Sequence, residues 1–264
     1  MIYPAKRMSQ PEFEIATRLA SVEADHNVRV LYAFESGSRT WGFASPDSDW
    51  DVRFLYVHPL DWYLSVSEHR DVIELPIVDD LDINGWELRK VLRLMRKGNP
   101  VLLEWLNSPI RYREDADFLA AIRALAEAHY SPIACFHHYL HTAHNNWRGY
   151  LHGPTVKLKK YLYVLRPVLA CRWIETGRGM APMEFIRLVE ATVIDSTLRA
   201  AIDQLLVMKR ATGEMGLGPA IPEIDAFLAA EMARLAEVAR TLPAKDKSDN
   251  TGMDVLLRKT ILGQ

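Results

Sequence analysis

Asp49 and Asp51, one residue apart, follow a Gly37-Ser38 pair at a loop's distance, and together these four could hold a metal-bound triphosphate. Alternate residues of an extended chain share a face, so both carboxylates point the same way. Charges about 7 Å apart along a strand repel each other unless a cation sits between them. Oxygen donors of this kind suit Mg²⁺, which takes one or two carboxylates and completes its shell with phosphates and water. Gly37 permits a phosphate to approach the backbone, and Ser38 adds amide and hydroxyl donors. A Gly-Ser pair alone marks an ordinary turn, and Asp-x-Asp alone is usually a solvated strand edge. Their order, each beside a predicted strand, makes the combination far more specific than either part.

The elements that must position these residues are legible nearby. Val28 to Phe34 is a compact β-prone run ending at Glu35-Ser36-Gly37-Ser38, and Asp49 to Val57 is a second, rich in Val, Phe, Leu and Tyr. Asp71–Leu75 and Leu81–Ile83 are weaker strand candidates. Ser9-Gln10-Pro11-Glu12 reads as a capping box opening a helix with Phe13, Ile15, Ala16, Leu19 and Val22 on its apolar stripe. Asn84-Gly85-Trp86-Glu87 reads as another N-cap, before a helix that buries Leu88, Val91, Leu92 and Met95 and stops at Gly98-Asn99-Pro100. Beyond Pro100 the pattern predicts helices only, over 117–129, 132–146, 156–175, 182–189, 195–209 and 222–242. The tail begins polar at 243–250 and re-docks through Val255-Leu256-Leu257. The expected fold is α+β, with a small mixed-sheet domain over 1–112 and a helical domain over 113–264 that caps the cleft.

Composition narrows the class. A net charge of −2 excludes a globally cationic surface, so a nucleic-acid partner would need a local basic patch. Cys135 and Cys171 stand far apart, which argues against a disulfide framework or a structural zinc site and for a reducing compartment. Met1 to Arg7 lacks the apolar run of a secretory signal, and no apolar stretch approaches the ~20 residues of a membrane span. The expected location is cytoplasmic.

The Gly-Ser and Asp-x-Asp arrangement resembles the signature of the DNA polymerase β nucleotidyltransferase superfamily. The likeness extends through Gly37-Ser38-Arg39-Thr40-Trp41-Gly42-Phe43, Gly85-Trp86-Glu87-Leu88-Arg89-Lys90, Glu104-Trp105-Leu106-Asn107-Ser108-Pro109 and Lys160-Tyr161-Leu162-Tyr163-Val164-Leu165-Arg166-Pro167. In these segments the chain is similar to the RNA-repair-pathway polymerase-β-like family, RlaP, over roughly residues 28–175. The resemblance implies a two-metal, Mg²⁺-dependent enzyme, with Mn²⁺ as a substitute, that moves a nucleoside monophosphate from an NTP such as ATP to a hydroxyl. An RNA end is the implied acceptor, with a protein or small-molecule hydroxyl, or a non-catalytic binding module, as rival readings. Asp49 and Asp51 would bind both ions, and a third carboxylate would ready the acceptor. Asp82 is the candidate for that third position, with Glu74 its rival.

Other residues carry weaker signals. Lys159, Tyr163 and Arg166 fall at i, i+4 and i+7 of one helix and could meet the triphosphate from across the cleft, with Lys160 the alternative one position round. The plain alternative is a solvated basic face. Arg39 could contact phosphate or steady its own loop. His137, His141 and His144 share a face, without the acidic partner that a metal site would want. Trp86 and Trp105 read as packing residues, while Trp41 could stack a base or pack.

Overall fold

The computed structural model describes residues 9–211, 215–242 and 249–264. The N-terminal segment inspected for a signal and the polar stretch 243–248 lie outside those residues. The chain opens with α1 (Gln10–His26), β1 (Arg29–Glu35), the short α2 (Gly37–Trp41) and β2 (Trp50–Val57). One turn, α3 (Leu60–Tyr63), leads to β3 (Val72–Glu74), β4 (Leu81–Glu87), α4 (Leu88–Arg96) and α5 (Pro100–Leu106). Next come β5 (Arg111–Glu114), α6 (Ala116–Ala128), α7 (Pro132–Tyr150), β6 (Thr155–Lys157) and α8 (Lys159–Glu175). The chain ends with α9 (Phe185–Thr192), α10 (Ser196–Ala211), β7 (Leu217–Pro219), α11 (Pro222–Thr241) and α12 (Thr251–Leu262).

The fold is α+β. A five-stranded mixed sheet has the order β3-β4-β2-β1-β5, and helices cover it on both sides. On one face α1 sets Ile15, Leu19 and Val22 against Val30, Val52, Phe54 and Ile83. Its start is the expected capping box, with the Ser9 amide donating to Glu12 Oε2 at 2.7 Å. The other face, through Leu31, Phe34 and Leu55, continues without a break into the helices, where α7 and α8 pack as a pair. This core holds residues from both sides of the sequence boundary drawn at 112/113, and β5 straddles that boundary while pairing with β1.

Three departures from the expected elements have physical causes. β4 does not end at Ile83 but runs through Glu87, because β2 and β3 flank it and supply ladder partners along its length. Asn84, inside that strand, is therefore no N-cap. A Cβ on Gly85 would lie 2.2 Å from the Phe54 ring, so the glycine serves close packing in the sheet. The helix N-cap is Glu87, whose side chain accepts from the Lys90 amide. The second departure is β5, a charged Arg-Tyr-Arg-Glu edge strand that carries no apolar alternation to announce it. The third is the pair β6 and β7, three residues each, too short for periodicity to register. The C-terminal segment docks as α12 through Met253 and Leu256, with Leu257 partly buried, while Val255 of the expected trio is 39% exposed.

No helix among the described residues is long and apolar enough to cross a membrane. Both cysteines are buried and free.

Candidate active site

β2 and β4 run parallel, in a register that sets Asp51 directly opposite Asp82. Asp49 stands just before β2, and both Asp49 and Asp51 line one cleft of about 340 Å³ with Ser38. The pairing settles which acid neighbours Asp51. Glu74 lies one strand further out, opposite Asn84, and pairs with Arg70. Arg53 then ties the two central carboxylates together: Nη2 donates to Asp51 Oδ1 at 3.1 Å and to Asp82 Oδ2 at 2.8 Å.

The Gly-Ser turn is built around Asp51. Gly37 has φ +65°, and a Cβ on it would fall 2.1 Å from Asp51 Oδ2. Only glycine therefore lets the start of α2 abut that carboxylate, an arrangement the helix dipole favours. The Asp51 backbone is pinned as well: its amide donates to Glu35 Oε1 at 2.9 Å, and its carbonyl accepts from the Ser36 amide at 2.8 Å. Glu35 is fully buried and takes a second hydrogen bond from the Tyr112 hydroxyl at 2.6 Å. Burial pushes its pKa up to about 7 against the pull of those donors. Burial also raises Asp51 above the usual carboxylate range; Arg53 opposes the shift, while Asp82 and Asp49 add to it.

Of the expected phosphate-binding cations, Lys159 lines the cleft, as does Tyr163. Lys160 is not among the lining residues; its ammonium lies 4.2 Å from the Tyr150 ring centre and 5.0 Å from that of Tyr163. Arg39 is engaged by its own loop, donating to the carbonyls of Ser48 and Asp49 at 2.6 and 3.1 Å and stacking 3.8 Å over Trp50. Arg166 is only 4% exposed, and it donates to Glu104 Oε1 at 2.9 Å. That same oxygen accepts from the Tyr139 hydroxyl at 2.6 Å. The Arg166 guanidinium lies 4.6 Å over the Trp41 ring, behind the phosphate turn and outside the cleft. Trp41 packs edge-on to Tyr163, and Trp86 against Trp105 at 3.8 Å.

One cation in the cleft escaped sequence reasoning. Lys209, on α10, is 6% exposed, lines the same cleft and donates to Ser45 Oγ at 2.6 Å. A signal for it exists. Leu198, Ile202, Leu205 and Leu206 form the buried stripe of α10, and Lys209 continues that stripe at helical spacing. A lysine where the pattern demands an apolar residue needs a polar reason to be there.

The donor set suits a hard cation, since Asp51 faces Asp82 across the β2–β4 pairing and Asp49 lines the same cleft as Asp51. Among the described residues no three such side chains stand close enough to hold an ion as placed. Arg53 takes up the position between Asp51 and Asp82 that a shared cation would need.

Comparison with known proteins gives the family. The chain is 45% identical over 247 residues to the Bacillus subtilis (strain 168) protein named uncharacterized protein YcgL, covering 94% of this chain and 95% of that one. A nucleotidyltransferase-like protein from Exiguobacterium sibiricum 255-15 aligns over 96% of this chain and 80% of its own, at 11% identity and a TM-score of 0.32, too low to carry an argument. The model of the RNA repair pathway DNA polymerase beta family matches residues 12–259. The chain belongs to that family, RlaP, and is a polymerase-β-like nucleotidyltransferase.

Proposed function

We propose that the protein transfers a nucleoside monophosphate from an NTP to a hydroxyl at an RNA end, in a Mg²⁺-dependent reaction. The observation that carries this reading is the register of Asp51 against Asp82, beside a Gly37-Ser38 turn that admits no Cβ. Asp49, Asp51 and Asp82 would hold the Mg²⁺ ions, which when bound neutralise charge on the transferring phosphate and ease ionisation of the acceptor hydroxyl. The chain's own groups do the rest. Ser38 and the amides at the start of α2 hold phosphate oxygens, while Lys159 and Lys209 meet the β- and γ-phosphates from the helical side. The acceptor oxygen bonds to the α-phosphorus as the bond from that phosphorus to its bridging oxygen breaks. Pyrophosphate departs with the electron pair, and Asp82 takes the acceptor's proton. Arg53, held by Asp51 and Asp82, keeps both carboxylates aligned until substrate arrives.

The test is incubation with each α-labelled NTP, Mg²⁺ and separated cellular RNA, protein and small molecules. Label in the RNA fraction supports the reading. Label confined to protein or small molecules reassigns the acceptor, and label in none removes the catalytic claim.

A further inference from the structure

Residues 128–174 contain no aspartate or glutamate, in a chain with 34 acids among 264 residues. The same stretch carries Arg148, Lys157, Lys159, Lys160, Arg166 and Arg172, with His137, His141, His144 and His152 among them. Within it α7 packs against α8, β6 between them pairs with β7, and α8 reaches the cleft through Lys159 and Tyr163. Two of its cations are neutralised from outside, Arg166 by Glu104 and Arg172 by Glu231. Arg148, Lys157 and Lys160 have no ion-pair partner among the described residues, and the two lysines frame an aromatic row. Lys157 lies 5.4 Å from the ring of Tyr150, which is 40% exposed. Lys160 bridges that ring and Tyr163, whose own ring meets Trp41 of the phosphate turn.

We propose that the outer face of the α7–β6–α8 unit is the track along which a single-stranded polynucleotide acceptor enters the cleft. The proposal rests on the nucleotidyl-transfer reading and names the surface that reading lacks. Cations spaced along a groove release counterions from a phosphate backbone, and exposed tyrosine faces accept stacked bases of any sequence. Both are present here, in an order that ends at Tyr163 in the cleft wall. Acid-free composition removes the repulsion that the rest of this mildly acidic chain would impose on a polyanion. A small-molecule acceptor would need neither the length of the track nor its stacking faces.

The test is fluorescence anisotropy of the full chain with a labelled single-stranded RNA of about 15 nucleotides, across a salt series. An Arg148→Gln/Lys157→Gln/Lys160→Gln variant should bind at least about tenfold more weakly. Its log–log salt slope should flatten by about 2, at about 0.7 for each phosphate left without its cation. Tyr150→Leu should weaken binding by about tenfold while leaving the slope in place. A charge-matched control on α4, Arg93→Gln/Arg96→Gln/Lys97→Gln, should match wild type, and thermal unfolding checks that each variant is folded. The track is overturned if the Arg148/Lys157/Lys160 variant behaves like the control. It is equally overturned if polyglutamate displaces the RNA as well as unlabelled RNA does, which would mark a site for any polyanion. Transfer to RNA that persists with unchanged KM in the Arg148/Lys157/Lys160 variant removes the track and leaves the transfer reading standing. RNA binding that depends on these residues, in a protein that labels nothing, removes the transfer reading and leaves the surface.

Discussion

Two arginine–carboxylate clusters in this molecule use the same chemistry for opposite ends. Arg166 and Glu104 meet in the core, with side chains 5% and 11% exposed, and Tyr139 and Trp41 close around them. Arg53 meets Asp51 and Asp82 where the two interior strands β2 and β4 begin, and each carboxylate side chain there keeps about 30% of its surface open. A buried pair cannot be broken without stranding a charge, whereas a half-open one can trade its cation for another. The first therefore braces the Gly37-Ser38 turn from behind, and the second keeps in place the pair of acids proposed to react. Distance alone does not separate the two roles, since all three ion pairs fall between 2.8 and 3.1 Å. Solvent access does.

The largest effect should come from the open side. Asp49→Asn or Asp51→Asn is expected to lower transfer by at least about three orders of magnitude with the fold intact, as single-turnover assays and circular dichroism would show. Full activity in either folded variant would end the assignment. Asp82→Asn sharpens the comparison, because its proposed duty concerns the acceptor oxygen. Turnover should fall by about two orders of magnitude or more while Mg-NTP binding stays within several-fold. If Glu74→Gln shows that pattern and Asp82→Asn is silent, the wrong strand carries the third acid.

On the buried side the readout is stability. Glu104→Gln leaves Arg166 without its counter-charge and should cost about 3–5 kcal/mol in urea unfolding, against about 1 kcal/mol for Arg53→Met. Equal costs would erase the distinction between brace and placeholder. On the cleft's helical wall the readout is binding. Lys159→Ala and Lys209→Met should each weaken NTP binding by about tenfold, from interactions worth about 1.5–3 kcal/mol, and nucleoside monophosphate binding far less. Equal losses for both ligands in calorimetry would mean that these lysines hold structure and not the phosphate tail.

The legibility of the molecule follows the same division. Gly37, Ser38, Asp49 and Asp51 are readable because they sit within one local stretch whose alternation can be counted. Asp82 can be named from sequence but not placed, since its neighbour depends on the parallel pairing of β2 with β4, a non-local fact. Asn84-Gly85 misleads because an asparagine three residues before a glutamate reads as a helix N-cap, when here both lie within β4 and Gly85 makes room for Phe54. Arg166 looks like a phosphate ligand from its spacing to Lys159 and Tyr163. Helical phase gives direction around an axis but not the depth at which Glu104 waits. Lys209 lies on a helix with no motif, and only its place on an apolar stripe could expose it.

The central claim, that the Asp49–Asp51 edge is where ion and nucleotide meet, can be tested without knowing the acceptor. Thermal unfolding of wild type and Asp51→Asn, each alone, with Mg²⁺, with NTP and with both, is the most direct measurement. Relief of carboxylate repulsion should leave the variant alone with a Tm equal to or above that of wild type. Mg²⁺ and NTP together should raise the wild-type Tm and leave the variant's unchanged. A variant that responds to the pair as wild type does would contradict the account.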